Sequence, residues 1–180
     1  VTIRMRTVHT ADLTPADLRA ARELLDAAFG GDLTDQDWEH GLGGVHALLA
    51  DDTGRLLAHG SVVMRRVRYQ GRWLRVGYVE GVGVRPDARR KGYGGQVMAE
   101  LERIVDHAYD VGLLGASDDG ARLYTVRGWR LWGGKISALG PDGIVHLPEE
   151  EDSTYVRPAL AGPLDLGADL LFDWRDGDVL

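Results

Sequence analysis

The chain has 180 residues, 21 Lys+Arg against 28 Asp+Glu for a formal net charge of −7, and no cysteine. That length suits one domain with one core; the acidic balance argues against a nucleic-acid binder, and the absence of cysteine excludes disulfides, thiolate nucleophiles and Cys-based zinc sites. No apolar run approaches the roughly 18–20 residues of a membrane span, and Arg4, Arg6 and His9 interrupt the start where a signal segment would be apolar, so one soluble cytoplasmic domain over residues 1–180 is expected.

Residues 2–8 alternate and read as a first strand. Thr14-Pro15 offers a helix cap and a first helical position, and Leu18, Ala21, Leu25 and Ala28 follow at helical spacing until Gly30-Gly31. Thr34 can cap a second short helix over 35–42. Residues 45–50 read as a strand, 51–54 as a turn, and 55–69 and 73–84 as two strands joined at Gln70-Gly71. The period then changes: 92–110 places Val97, Leu101, Ile104, Val105 and Ala108 on one helical face. A buried strand over 111–116, a short helix over 119–127 and one strand over 129–139 follow. Pro141-Asp142-Gly143 is a hairpin turn leading toward a strand near 153–157. A meander followed by β–α–β–α–β predicts an α/β fold on a mixed sheet.

The charge is unevenly spread. Residues 142–180 hold ten acidic side chains against Arg157 and Arg175, while the preceding part is near neutral. Leu164, Leu166, Leu170, Leu171, Phe172 and Trp174 give this tail enough apolar surface to fold. It is either a solvated acidic face or a surface that attracts a cation.

The most informative segment is 78–101, where an apolar strand ends at Val84 and runs into a basic, glycine-rich loop, Arg85, Arg89, Arg90, Lys91, Gly92, Gly94 and Gly95, before a long amphipathic helix. Glycines let backbone N–H groups approach an anion closely, and a helix N-terminus has unpaired donors and a favourable dipole. A pyrophosphate fits such a place. The P-loop pattern fails because Gly92 follows Lys91, and the dinucleotide pattern fails at Pro86 and Val97. Arg89-Arg90-Lys91-Gly92-Tyr93-Gly94 does match the [QR]-x-x-G-x-[GA] signature for acetyl-CoA, and the chain here resembles the GCN5-related N-acetyltransferase (GNAT) superfamily. Segments 29–48 (FGGDLTDQDWEHGLGGVHAL), 77–85 (GYVEGVGVR), 121–129 (ARLYTVRGW) and 172–180 (FDWRDGDVL) are similar to the aminoglycoside 2′-N-acetyltransferases within it.

The resemblance implies the acyl-CoA N-acyltransferase fold, a central mixed sheet flanked by helices, with acetyl-CoA as cosubstrate, an aminoglycoside as acceptor and no metal. It implies that Glu80 is the base that takes the amine proton, directly or through water, and that Tyr124 protonates the departing sulfur. The Val82 N–H, freed by a β-bulge around Gly81-Val82-Gly83, is expected to polarise the thioester carbonyl. Val82, Gly83, Val84, Arg89, Arg90, Lys91, Gly92, Tyr93, Gly94 and Gly95 are the expected cofactor contacts. A polycationic acceptor needs carboxylates rather than an apolar pocket. Asp32, Glu80, Glu150, Asp178 and the carboxylate of Leu180 are the candidates, with Gly81 beside Glu80, and Ser117 supplying a hydroxyl expected near Gly115. A homodimer without nucleic-acid or membrane partners completes the expectation; the alternatives are an acetyltransferase of the same fold for another polyamine or a protein N-terminus, or a non-catalytic domain that binds CoA or the aminoglycoside. The six histidines, His9, His40, His46, His59, His107 and His146, lack ligand spacing and read as core or surface; Arg65, Arg66, Arg68, Arg72 and Arg75 read as a solvated basic strand face.

Overall fold

The first helix begins where the sequence places it. Thr14 and Asp17 form a reciprocal capping box and Pro15 opens α1 (Pro15–Ala28), whose Ala21, Leu24 and Leu25 are buried. Gly30 and Gly31, at φ 67° and 91°, then turn the chain out of the helix. Thr34 and Asp37 repeat the capping box for α2 (Asp35–His40). The computed structural model describes residues 2–180, apart from the side chains of Asp118 and Asp119. Its chain forms two compact units: residues 1–63 with 79–103, and residues 64–78 with 104–180. Each is taken on its own.

In the first unit, β1 (Arg4–His9) and β2 (Val45–Ala50) are antiparallel, and β2 is antiparallel to the first part of β3 (Leu56–Tyr69), with a register shift at Leu49/Ala50. The last part of β4 (Arg72–Val84) belongs here too. Leu13, Ala21, Leu24, Leu25, Leu48 and Leu56 form the apolar core beside α1. Small residues on the strands let the helices sit close. A Cβ added at Gly83 would lie 2.8 Å from Leu25 and 3.1 Å from Ala28, and one at Gly60 would lie 2.8 Å from both Val97 and Leu101 of α3 (Tyr93–Ala108).

In the second unit, the start of β4 runs parallel to β5 (Val111–Gly115), through Val76↔Val111 to Tyr78↔Leu113. β5 is antiparallel to β9 (Thr154–Pro158), which also pairs with β6 (Arg130–Leu131). The end of β3 is antiparallel to β10 (Leu170–Phe172); β10 runs parallel to β7 (Ile136–Gly140), and β7 pairs with β8 (Gly143–His146). α4 (Asp118–Val126) follows β5. Trp129 and Trp132 are fully buried.

The expected strand over 129–139 is therefore two strands with different partners. The break falls at Gly133-Gly134, where a Cβ on Gly134 would collide with the Ala168 carbonyl oxygen. The passing 165–168 segment requires bare backbone there. β8 and β10 have no counterpart in the pattern reading, because four- and three-residue strands show too few periods to register.

Candidate active site

In the first unit the site is built on the end of β4. Gly81 sits at φ 53°, in the left-handed region that glycine favours. Two successive carbonyls here accept side-chain donors from β3: Ser61 Oγ donates to the Glu80 carbonyl at 3.3 Å, and His59 Nδ1 donates to the Gly81 carbonyl at 2.9 Å. Ser61 is fully buried and His59 is 2% exposed. Glu80 itself is half-buried. Its Cβ lies 4.0 Å from where a side chain on Gly41, at the end of α2, would begin. Gly81, Val82 and Val84 are partly exposed and Gly83 is buried under α1.

The glycine-rich loop follows. Arg89 is exposed, and its Nη2 donates to the Ala28 carbonyl at 2.7 Å, so this guanidinium is held at the carbonyl end of α1. Arg90 takes φ 63° and Gly92 φ 79°, a sharp left-handed passage into α3. Around Gly92 a Cβ would meet nothing within 4 Å, so conformation rather than crowding calls for glycine. The first intrahelical bond of α3 joins Gln96 N–H to Gly92 O. The N–H groups of Tyr93, Gly94 and Gly95 therefore precede the helical ladder. Lys91 is exposed beside them. This end of the helix fits a pyrophosphate. Asp32 is exposed in the turn between α1 and α2.

In the second unit, Tyr124 is 8% exposed on α4, between the rings of Trp129 and Tyr155. Burial pushes its hydroxyl up to about 12. At neutral pH it is fully protonated, a hydrogen-bond donor first and a proton source second. Ser117, exposed, is the N-cap residue of α4. Glu150 is half-buried and accepts from Ser153 Oγ at 3.2 Å. Burial and then the neighbouring charge of Asp178 raise its pKa above the ordinary carboxylate value. Glu150 and Asp178 thus belong to one acidic group. Leu180 lies at β5: a Cβ on Gly115 would lie 3.8 Å from the Leu180 carboxyl carbon and 3.5 Å from the Tyr78 hydroxyl.

Arg65 corrects the reading of a solvated arginine face. It is 4% exposed. Nε donates to Asp173 Oδ1 at 2.9 Å, Nη2 to the Asp173 carbonyl at 2.9 Å and Nη1 to the Val179 carbonyl at 2.6 Å. Its guanidinium also lies 5.0 Å from the Tyr78 ring centre and 5.2 Å from that of Phe172. Arg175 Nε donates to the carbonyls of Asp178 and Val179. Two arginines therefore hold the backbone that carries Asp178. The signal was in the alternation: Arg65 shares its strand face with the buried Val67 and Tyr69, while Met64, Arg66 and Arg68 face out. Arg66, Arg68, Arg72 and Arg75 are exposed as expected. Among the described residues no group of three His, Asp or Glu could hold a metal ion, and no helix is long and apolar enough to cross a membrane.

Comparison with known proteins decides the family. An Acetyltransferase (GNAT) domain model matches residues 9–132. The chain belongs to the GNAT acetyltransferase family. Across 97% of its length this GNAT enzyme is 45% identical to an aminoglycoside 2′-N-acetyltransferase of Mycolicibacterium fortuitum, covering 90% of that protein. Solved structures agree in fold. The GNAT family N-acetyltransferase YhbS of Escherichia coli, solved in complex with CoA, superimposes with a TM-score of 0.65 at 19% identity over 97% of this chain and 90% of that one. A GNAT family acetyltransferase of Brucella melitensis, in complex with acetyl-CoA, gives 0.61 at 16% identity and 94% of each chain. The GNAT assignment agrees with the loop at 89–94 and with the helix that follows it.

Proposed function

We propose that this acetyltransferase moves the acetyl group of acetyl-CoA to the 2′-amine of an aminoglycoside by direct attack in a ternary complex. The observation that carries the acceptor is the acidic group of Glu150 and Asp178, with the tail backbone held by Arg65 and Arg175. Fixed carboxylates suit a substrate studded with ammonium groups. The name and near-complete coverage of the Mycolicibacterium fortuitum relative support the same acceptor. The complexes of the two fold neighbours support acetyl-CoA as donor.

Each residue then has a task. The N–H groups at the start of α3, with Arg90 and Lys91, hold the pyrophosphate of CoA. The amine nitrogen attacks the thioester carbon. Glu80 takes its proton directly or through water, and the Val82 N–H stabilises the oxyanion of the tetrahedral intermediate. The C–N bond forms in this addition; the intermediate then collapses, the C=O bond re-forming as the C–S bond breaks, and the sulfur takes a hydrogen bond and then a proton from Tyr124. With no cysteine in the chain, direct attack needs no thioester on the enzyme. Asp32, Glu80, Glu150, Asp178 and Leu180 face the acceptor, with Gly81 and Ser117 beside them. Residues 1–180 act as one catalytic domain in this reading, and as a homodimer, which sedimentation equilibrium checks.

The test is release of CoA thiol from acetyl-CoA with paired aminoglycosides, one bearing a 2′-amine and one a 2′-hydroxyl. Release with the amine alone is expected, falling at least 100-fold in kcat for Glu80→Gln. No release with any aminoglycoside overturns the acceptor. Release with unrelated polyamines at equal kcat/KM moves the assignment to another amine.

A further inference from the structure

A buried line of side chains ends on the peptide that the mechanism uses. Thr10 Oγ1 lies 2.7 Å from His46 Nε2, His46 Nδ1 lies 3.0 Å from His59 Nε2, and His59 Nδ1 lies 2.9 Å from the Gly81 carbonyl oxygen. His46 and His59 are 1% and 2% exposed. All four residues lie in the first unit.

The direction of every bond in this line follows from its last member. A carbonyl oxygen only accepts, so His59 carries its proton on Nδ1. In a neutral imidazole the other nitrogen then accepts, so His59 Nε2 takes a hydrogen bond from His46 Nδ1–H. His46 Nε2 is left as an acceptor, and the Thr10 hydroxyl donates to it at 2.7 Å in preference to the Gly44 carbonyl at 3.2 Å. The backbone N–H of Gly43 donates to the same hydroxyl at 2.9 Å, which fixes where its lone pair points. Burial pushes both imidazoles down to about 4, helped at His46 by the charge of its neighbour, so both are neutral at pH 7.

Among the described residues there is no cis peptide. Across a trans peptide the C=O and N–H point in opposite directions from one plane. The Gly81 carbonyl and the Val82 N–H belong to the same plane. Anchoring the carbonyl therefore aims the N–H. The anchor matters here because Gly81 at φ 53° has the widest backbone freedom of any residue type.

We infer that His59, backed by His46 and Thr10, is a positioning residue that sets the orientation of the Gly81–Val82 peptide and so aims the Val82 N–H at the thioester carbonyl. This rests on the proposed role of Val82. Ser61 holds the preceding carbonyl in the same way, so two side chains of β3 fix two successive peptides of β4. The imidazoles touch no reacting atom; they act through the backbone.

Two measurements test this. The first needs no variant: nitrogen-15 NMR of the imidazoles at pH 7. Both His46 and His59 are expected neutral and protonated on Nδ1; a proton on Nε2 of either breaks the line and overturns the inference. The second is the infrared carbonyl stretch of bound acetyl-CoA carrying carbon-13 at the thioester carbonyl, read with kcat and KM. The wild-type enzyme is expected to shift the band to lower frequency than in free acetyl-CoA. His59→Phe is expected to lose that shift and about 10–100-fold in kcat, with the acetyl-CoA KM within about 2-fold. His59→Asn, whose amide nitrogen reaches as far from the backbone as imidazole Nδ1, is expected to restore both. A shift retained in His59→Phe overturns the inference while leaving the Val82 role intact, and so does an Asn variant as impaired as Phe. An unshifted band in the wild-type enzyme overturns the Val82 role, and the inference with it.

Discussion

At the scale of single residues, two acids are tuned in ways that separate catalysis from stability. Tyr124 is pushed up to about 12 by burial alone. As the proposed proton donor it acts when protonated, so its contribution is lost only as pH rises past that value, well above the range of an exposed tyrosine. Tyr124→Phe is expected to lower kcat about 10–100-fold with little change in either KM. The pH profile of kcat is expected to show no fall near pH 10 from this group. Glu150 is raised by burial first and by Asp178 second. A raised carboxylate favours folding when protonated, and its ionised form costs stability once pH exceeds both its unfolded and folded values. Glu150→Gln is therefore expected to raise Tm by about 1–3 °C at pH 7, and to make little difference below the ordinary carboxylate range. The same substitution is expected to raise the aminoglycoside KM about 10-fold, which thermal melts and steady-state kinetics on one preparation separate. The 89–95 loop stands out in the sequence because a motif and its flanking elements mark it, and Glu80, Val82 and Tyr124 are proposed from the resemblance that the motif introduces. His59 and Arg65 could not be picked out by type. A lone histidine carries no spacing signal, and a basic side chain is read as solvated until its strand face is known.

At the scale of elements, the tail is held in part by a side chain that the sequence places more than a hundred residues away. Arg65 donates to both Asp173 and Val179 from within β3. Removing it leaves the Val179 carbonyl and the Asp173 carboxylate short of a buried donor. Arg65→Met is expected to cost about 2–3 kcal/mol and to raise the aminoglycoside KM. Arg66→Ala and Arg68→Ala, on the exposed face, are expected within about 0.5 kcal/mol of wild type, as urea unfolding checks. The helices were legible to within a residue or two at their starts, because Thr14, Thr34 and Pro15 are caps with a mechanism. β6, β7, β8 and β10 were not. β8 and β10 are too short to show a period, β6 and β10 pair with strands distant in sequence, and the division of 129–139 depends on a segment near Ala168 passing over Gly134.

At the scale of the whole molecule, the net charge of −7 averages two opposite requirements. In the proposed function the polyanionic donor meets Arg90, Lys91 and the start of α3, while the polycationic acceptor meets Glu150 and Asp178 of a tail with ten acids and two arginines. Added salt is expected to raise the aminoglycoside KM through screening. In a chain cut after Gly177 the same KM is expected to start at least 10-fold higher and to depend less on salt, while the acetyl-CoA KM stays within about 3-fold. The central claim is the acceptor and the atom on it that receives the acetyl group. Its most direct measurement is to locate the new acetyl group by NMR on the product of acetyl-CoA and an aminoglycoside bearing several amines. A single acetamide on the 2′ nitrogen is the expected result; acetylation of a different nitrogen, or recovery of unmodified aminoglycoside, would contradict it.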